Sequence, residues 1–244
     1  MRLITALAIA IGLAGPALAE GFTPEQRAEI VEVLRRALRE DPTILRDALT
    51  ALEEADTRDR AEARRAAIVA NAAALFLDAA DPIKGNPNGD VTIVEFFDAR
   101  CGFCKQLHPA MDALVRRDPN VRVVLKDLPV LGPNSVLAAR ALLAAHRQGR
   151  YLAFYDALLA LRVEPTEPAI RQQAERVGLD WTRLRRDMDD PAIARRIETN
   201  LRLAQTLGIE GTPALVIGET LVPGAVDLPA LERLVAEARG AARR

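Results

Sequence analysis

The chain holds two cysteines, and both fall in Cys101-Gly102-Phe103-Cys104, just after the apolar, β-branched run Val91-Thr92-Ile93-Val94-Glu95-Phe96-Phe97. That run reads as a buried strand, and the segment from Cys101 to Arg117 reads as the helix it feeds. A Cys-x-x-Cys at a strand-to-helix turn sets the first thiol at a helix N-terminus, where unpaired amides and the macrodipole favour a thiolate. The thiolate is the nucleophile of thiol–disulfide exchange, so this placement already implies a chemistry. A structural disulfide here would close a very short loop and constrain the unfolded chain by only about 2 kcal/mol. Metal ligation is the other alternative, because His108 follows at a spacing that puts it on the face of Cys101 and Cys104. That supplies three ligands where a closed structural site wants four, and redox chemistry is the favoured reading.

The first residues read as a secretory signal: Arg2, an apolar core over Leu3 to Leu13, and the small-x-small site Ala17-Leu18-Ala19. That apolar run is too short to span a bilayer. A mature, soluble protein starting near Glu20 is expected, in a periplasmic compartment where disulfides persist. With 33 basic and 34 acidic residues the chain is nearly neutral, which argues against nucleic acid and against strong membrane-surface binding. Only Lys84, Lys105 and Lys126 are lysine among the basic residues, and lysine, unlike arginine, readily surrenders a proton.

Three regions follow from the pattern: a signal over 1–19, a helical arm over 20–80, and an α/β domain over 81–244 with a helical insertion at about 134–208. In the arm, Thr23-Pro24-Glu25-Gln26 has the form of a capping box with proline at the first helical position. Asp41-Pro42 restarts a second helix, and Thr57 is expected to open a third, running to about Leu77. Ile30, Leu34 and Leu38 form one narrow apolar stripe; Ile44, Leu45, Leu49 and Leu52 form another. Such thin stripes bury too little to stand alone. They either self-associate or fold back on the domain. Residues 81–90, rich in turn formers, are expected to be a linker.

In the domain, Val121 to Lys126 reads as a second strand, parallel to the first through a right-handed crossover. The insertion carries Leu142, Tyr151, Phe154, Tyr155, Leu158, Trp181 and Leu184, read as an ordinary helical core. The sheet resumes at Ala214-Leu215-Val216-Ile217, turns at Gly218-Glu219, continues through Thr220 to Val222, and ends in a helix from about Leu228 to Arg239.

Strand, CxxC helix, strand, helical insertion, then Gly211-Thr212-Pro213 before a strand pair and a last helix: over roughly 81–239 this resembles the DsbA-like branch of the thioredoxin superfamily. The resemblance implies a thioredoxin fold and a thiol:disulfide oxidoreductase with Cys101 and Cys104 as its catalytic pair. It also implies that Thr212-Pro213 is a cis-proline turn which, with Gly102 and Phe103, meets the substrate, and that Pro109 kinks the active-site helix. By the same resemblance Glu95 is a buried acid that moves protons during exchange, and Lys126 is its basic partner. A strand-borne Glu95 among apolar neighbours is costly unless paired or protonated, whereas at a sheet edge it would simply face water.

Cys-Gly-Phe-Cys with Thr before that proline, and a long helical N-terminal extension, is similar to ScsC-like proteins and bacterial disulfide isomerases, in which the arm would be an oligomerisation element. No cofactor is expected. The expected partners are exported proteins with thiols or disulfides and a membrane redox partner that recharges the pair. Two other functions stay open: copper tolerance through Cu(I) held by the same thiolates, and a non-catalytic holdase using the groove beside Thr212-Pro213.

Overall fold

The computed structural model describes residues 22–243. These divide into two compact units, up to Arg58 and from Asp59 onward. The expected signal at 1–19 lies outside the described residues.

The first unit is helical. Helix α1 (Pro24–Glu40) opens with a complete capping box: Gln26 N donates to Thr23 Oγ1, and Thr23 N donates to Gln26 Oε1. Helix α2 (Thr43–Ala70) begins in this unit. The apolar stripes foreseen on the two helices are present, and their residues Ile30, Leu34, Leu38, Ile44, Leu45, Leu49 and Leu52 are exposed. No helix starts at Thr57, which lies inside α2 with its hydroxyl donating to Glu53 O at 2.7 Å. A threonine can satisfy itself on the preceding turn as readily as it can cap a new helix.

The second unit begins within α2. Ile68 of α2 and Leu75 of the short α3 (Ala72–Phe76) are buried in its core, so the division falls well before residue 81. The expected linker also contains structure. Ile83–Gly85 forms strand β1, antiparallel to β3 (Val121–Asp127). Gly85 has φ +84°, and a Cβ there would lie 2.6 Å from Val121 O, so the strand can end beside β3 only at glycine.

Strand β2 (Val91–Phe97) pairs parallel with β3 on one side. On its other side it pairs antiparallel with β4 (Ala214–Ile217), which pairs with β5 (Thr220–Pro223). The strand order is β1-β3-β2-β4-β5. Because side chains alternate along a strand, the central strands β2, β3 and β4 each serve two cores. Ile93, Phe97, Val123, Leu125, Leu215 and Ile217 join one core with α4 (Gly102–Arg117), α5 (Pro133–His146), α6 (Tyr151–Leu159) and α10 (Leu228–Ala242). Val94, Phe96, Val124, Ala214 and Val216 join the other with Ile68, Leu75 and Leu203. The insertion comprises α5, α6, α7 (Glu167–Arg176), α8 (Trp181–Met188) and α9 (Pro191–Thr206). This is a thioredoxin fold with a helical insertion, preceded by N-terminal helices.

Candidate active site

Strand β2 ends at Phe97, and Asp98 then shapes the turn into α4. Its two carboxylate oxygens accept from Arg100 N, Val130 N and Leu131 N at 2.8–3.1 Å, tying the cysteine turn to the segment after β3. Cys101 is the N-cap of α4, and the thiol makes no cap bond of its own. Its Sγ instead donates to Thr212 O at 3.2 Å, and the Thr212–Pro213 peptide is cis. Cys101 is 6% exposed and Cys104 is fully buried; both are free thiols. Burial pushes the Cys104 thiol far above its usual range, and the neighbouring Cys101 and Glu95 push it the same way. Phe103 is 63% exposed, Gly102 has open space where a Cβ would stand, and Pro109 lies within α4. Val130, Leu131 and Val163 are further large apolar side chains left exposed. Lys105, beside Cys104, donates to Leu161 O at 2.6 Å.

Glu95 is completely buried. Its Oε2 accepts from Tyr155 OH at 3.1 Å, and its Oε1 has no partner. Burial raises its pKa from the ordinary 4.5 to about 7, opposed by the Tyr155 bond and the charge of Lys84. The carboxyl is therefore balanced between protonation states at neutral pH.

Lys126 is not its partner. In the parallel register Glu95 lies opposite Leu125, whereas Lys126 lies opposite Phe96 and so projects to the other face. There Lys126 Nζ donates to Asp81 Oδ2 at 2.5 Å and to Ala74 O at 2.7 Å, and Arg196 pairs with both Asp81 and Asp78. Burial pushes Asp81 up and Lys126 down, and the pairing opposes both.

Sequence reasoning missed the groups that do surround Glu95. The sequence pattern places Tyr155 in the ordinary core, which it also serves, packing edge-on against Phe97 at 4.8 Å. Lys84 stood out only as one of three lysines; its Nζ lies 5.2 Å over the Tyr155 ring and pairs with Asp112 and Asp156. A second buried acid, Asp127, accepts from Tyr151 OH at 2.8 Å and is likewise raised by burial to about 7. Tyr151 and Tyr155 are the only tyrosines in the chain, and they stack 6.3 Å apart. Their four-residue spacing on a helix was the available signal.

His108 points to Asp112 and Asp156, with Nε2 3.5–3.6 Å from their oxygens. Among the described residues, these three form the one group of histidine, cysteine and carboxylate side chains close enough to share an ion. Lys84 already pairs with both of its carboxylates, and neither cysteine takes part.

Residues 92–236 match the DSBA-like thioredoxin domain model, and the chain belongs to that family of thiol–disulfide oxidoreductases. Solved structures agree. A thioredoxin-like oxidoreductase from Silicibacter pomeroyi is 44% identical with TM-score 0.67, covering 69% of this chain and 97% of that one. A linker-deleted variant of Proteus mirabilis ScsC is 28% identical with TM-score 0.68, covering 91% and 98%. The thiol-disulfide exchange protein alpha-DsbA2 of Wolbachia pipientis is 30% identical with TM-score 0.69, covering 73% and 97%. The curated relatives are Na(+)/H(+) antiporters such as NhaA 3 of Salinispora tropica, 32% identical over 165 residues. This chain spans 25% of that protein's length, so ion transport does not carry over with the match. Among the described residues no helix is long and apolar enough to cross a membrane.

Proposed function

We propose that the protein is a periplasmic thiol:disulfide oxidoreductase that exchanges disulfides with exported proteins through Cys101 and Cys104. The observation that carries this is the hydrogen bond from Cys101 Sγ to Thr212 O, beside a cis-proline turn, with Cys104 buried behind it. A substrate thiolate attacks Cys101 of the oxidised pair; the Cys101–Cys104 bond breaks, a mixed disulfide forms on Cys101, and Cys104 leaves as a thiolate. Burial strongly favours the thiol form of Cys104, so the leaving sulfur needs a proton, and Glu95 is the acid poised near neutrality to give it. A second substrate thiol then attacks its own sulfur in the mixed disulfide, releasing substrate disulfide and the reduced pair. The reverse sequence reduces a substrate, with Glu95 accepting the Cys104 proton. Exposed Phe103, together with Gly102 and the main chain at Thr212, forms the substrate contact.

A membrane redox partner would restore the disulfide. The arm before Asp59 exposes its leucine and isoleucine stripes, which supports self-association and, through linked active sites, isomerase rather than simple oxidase activity. The test is recovery of activity from a reduced and from a scrambled disulfide protein, with light scattering on the same samples. Recovery must vanish in Cys101→Ser, and Cys104→Ser must accumulate mixed disulfide. Equal recovery with Cys101→Ser would reject the reading, and a monomer would remove the case for isomerisation.

A further inference from the structure

Glu95 is enclosed by titratable groups from three elements. Strand β1 brings Lys84. Helix α4 brings Cys104, His108 and Asp112, each four residues after the last. Helix α6 brings Tyr151, Tyr155 and Asp156. The two strands flanking Glu95 contribute no charge beside it, because the residues paired with it are Leu125 and Leu215, and Asp127 further along β3 is engaged by Tyr151. Lys84 sits over the ring of Tyr155, whose hydroxyl holds Glu95, and is bound to Asp156 Oδ1 at 2.9 Å and to Asp112 Oδ1. His108 packs edge-on against the same ring at 5.2 Å, between Asp112 and Asp156, with Nδ1 buried and unpaired. The Asp156 side chain is 48% exposed, so one end of this cluster meets water while the other ends on the tyrosine that bonds Glu95.

We propose that the Lys84–Asp112–Asp156–His108 cluster, acting through Tyr155, is the positioning partner that sets the charge state of Glu95 and ties it to solvent. This takes over the role that the DsbA-like resemblance implies for Lys126, and it rests on the reading of Glu95 as the proton donor and acceptor of exchange.

The signs follow from the charges. Lys84 favours the Glu95 carboxylate and Asp112 disfavours it. Burial and the Lys84 charge both hold His108 below its ordinary value, so near neutrality the cluster is one cation against two carboxylates. When His108 takes a proton, that excess of negative charge disappears and Glu95 gives up its own proton more readily. The unpartnered Oε1 is the oxygen free to carry the proton while Oε2 stays bonded to Tyr155.

The test reads Glu95 itself. The carboxyl C=O band, isolated as the infrared difference between the protein and Glu95→Gln, is titrated with pH. Lys84→Met should raise its midpoint by roughly one pH unit, the scale expected for losing a nearby opposite charge. Lys84→Arg should restore it, and Asp112→Asn should lower it. Lys105→Gln, which removes a positive charge from the same helix at a side chain bonded to Leu161 O, should leave it in place. If Lys84→Met does not fold, Asp112→Asn and Lys84→Arg still decide. A midpoint unmoved by Asp112→Asn, or moved upward by it, overturns the proposal. Midpoints that move as expected while the exchange-rate pH profile stays fixed uphold the cluster and reject the role of Glu95 in exchange.

Discussion

One sheet carries buried charge on both faces, and the two faces treat it in opposite ways. On the face of α3, Lys126 and Asp81 are bound to each other, with Ala74 O and Arg196 satisfying the remaining positions. On the face of α4 and α6, Glu95 and Asp127 each have a tyrosine hydroxyl and no bonded cation. A paired buried charge is locked in one state, and removing a partner leaves the other stranded. An unpaired buried acid is held between states and responds to pH. The first arrangement supports structure; the second supports proton exchange, and it is the one beside the cysteines.

The largest test of this contrast is Lys126→Met. It strands Asp81 in a buried site, with Arg196 as its remaining cation, and should reduce stability by about 4 kcal/mol in urea unfolding. The exchange rate of the folded protein should keep its pH profile, because Lys126 does not face Glu95. A shifted profile with little loss of stability would put Lys126 back in the relay and break the distinction.

Glu95→Gln and Asp127→Asn should act the other way. Each acid has a folded pKa raised to about 7, from 4.5 and 3.8 respectively. The fold accommodates the protonated form, so stability is fully present below the unfolded pKa, falls as pH rises towards 7, and is level above it. The neutral amides lack this loss. Each variant should therefore match the parent near pH 4 and exceed it at pH 8, by up to about 3 kcal/mol for Glu95→Gln and about 4 kcal/mol for Asp127→Asn. Only Glu95→Gln should also slow exchange near neutral pH. A stability difference independent of pH would mean that neither acid is held protonated, and equal slowing by both would make Asp127 a second participant.

How much of this was legible follows from which interactions are local. The cysteine turn, the capping box at Thr23 and the core strands are written in runs of a few residues, and they stand where the pattern predicts. The partner of Glu95 depends on the register between β2 and β3. Lys126 misses it by one residue, and that residue turns the side chain through the sheet. Strand β1 was hidden because three residues ending in glycine carry too little pattern to separate from a turn. Lys84 and Tyr155 reach Glu95 from β1 and from the insertion, and no local pattern encodes a meeting between segments that distant in sequence.

The smallest expected effect is also the most specific to the α6 face. Tyr155→Phe keeps the ring that packs edge-on against Phe97 and deletes only the hydroxyl that holds Glu95 Oε2. At pH 5 the acid is protonated, and the loss should be that of one neutral hydrogen bond, about 1 kcal/mol. At pH 8 the carboxylate has lost its donor, so the destabilisation should be larger. The midpoint of Glu95 should rise, because the Tyr155 bond is the first of the two influences holding it down. Tyr151→Phe should reproduce the stability pattern through Asp127 and leave the Glu95 midpoint nearly where it was. Chemical denaturation of both variants at the two pH values checks this. A Tyr155→Phe loss equal at pH 5 and pH 8 would show that the hydroxyl does not distinguish the two forms of Glu95, and the α6 face would then be as inert as the Lys126 side.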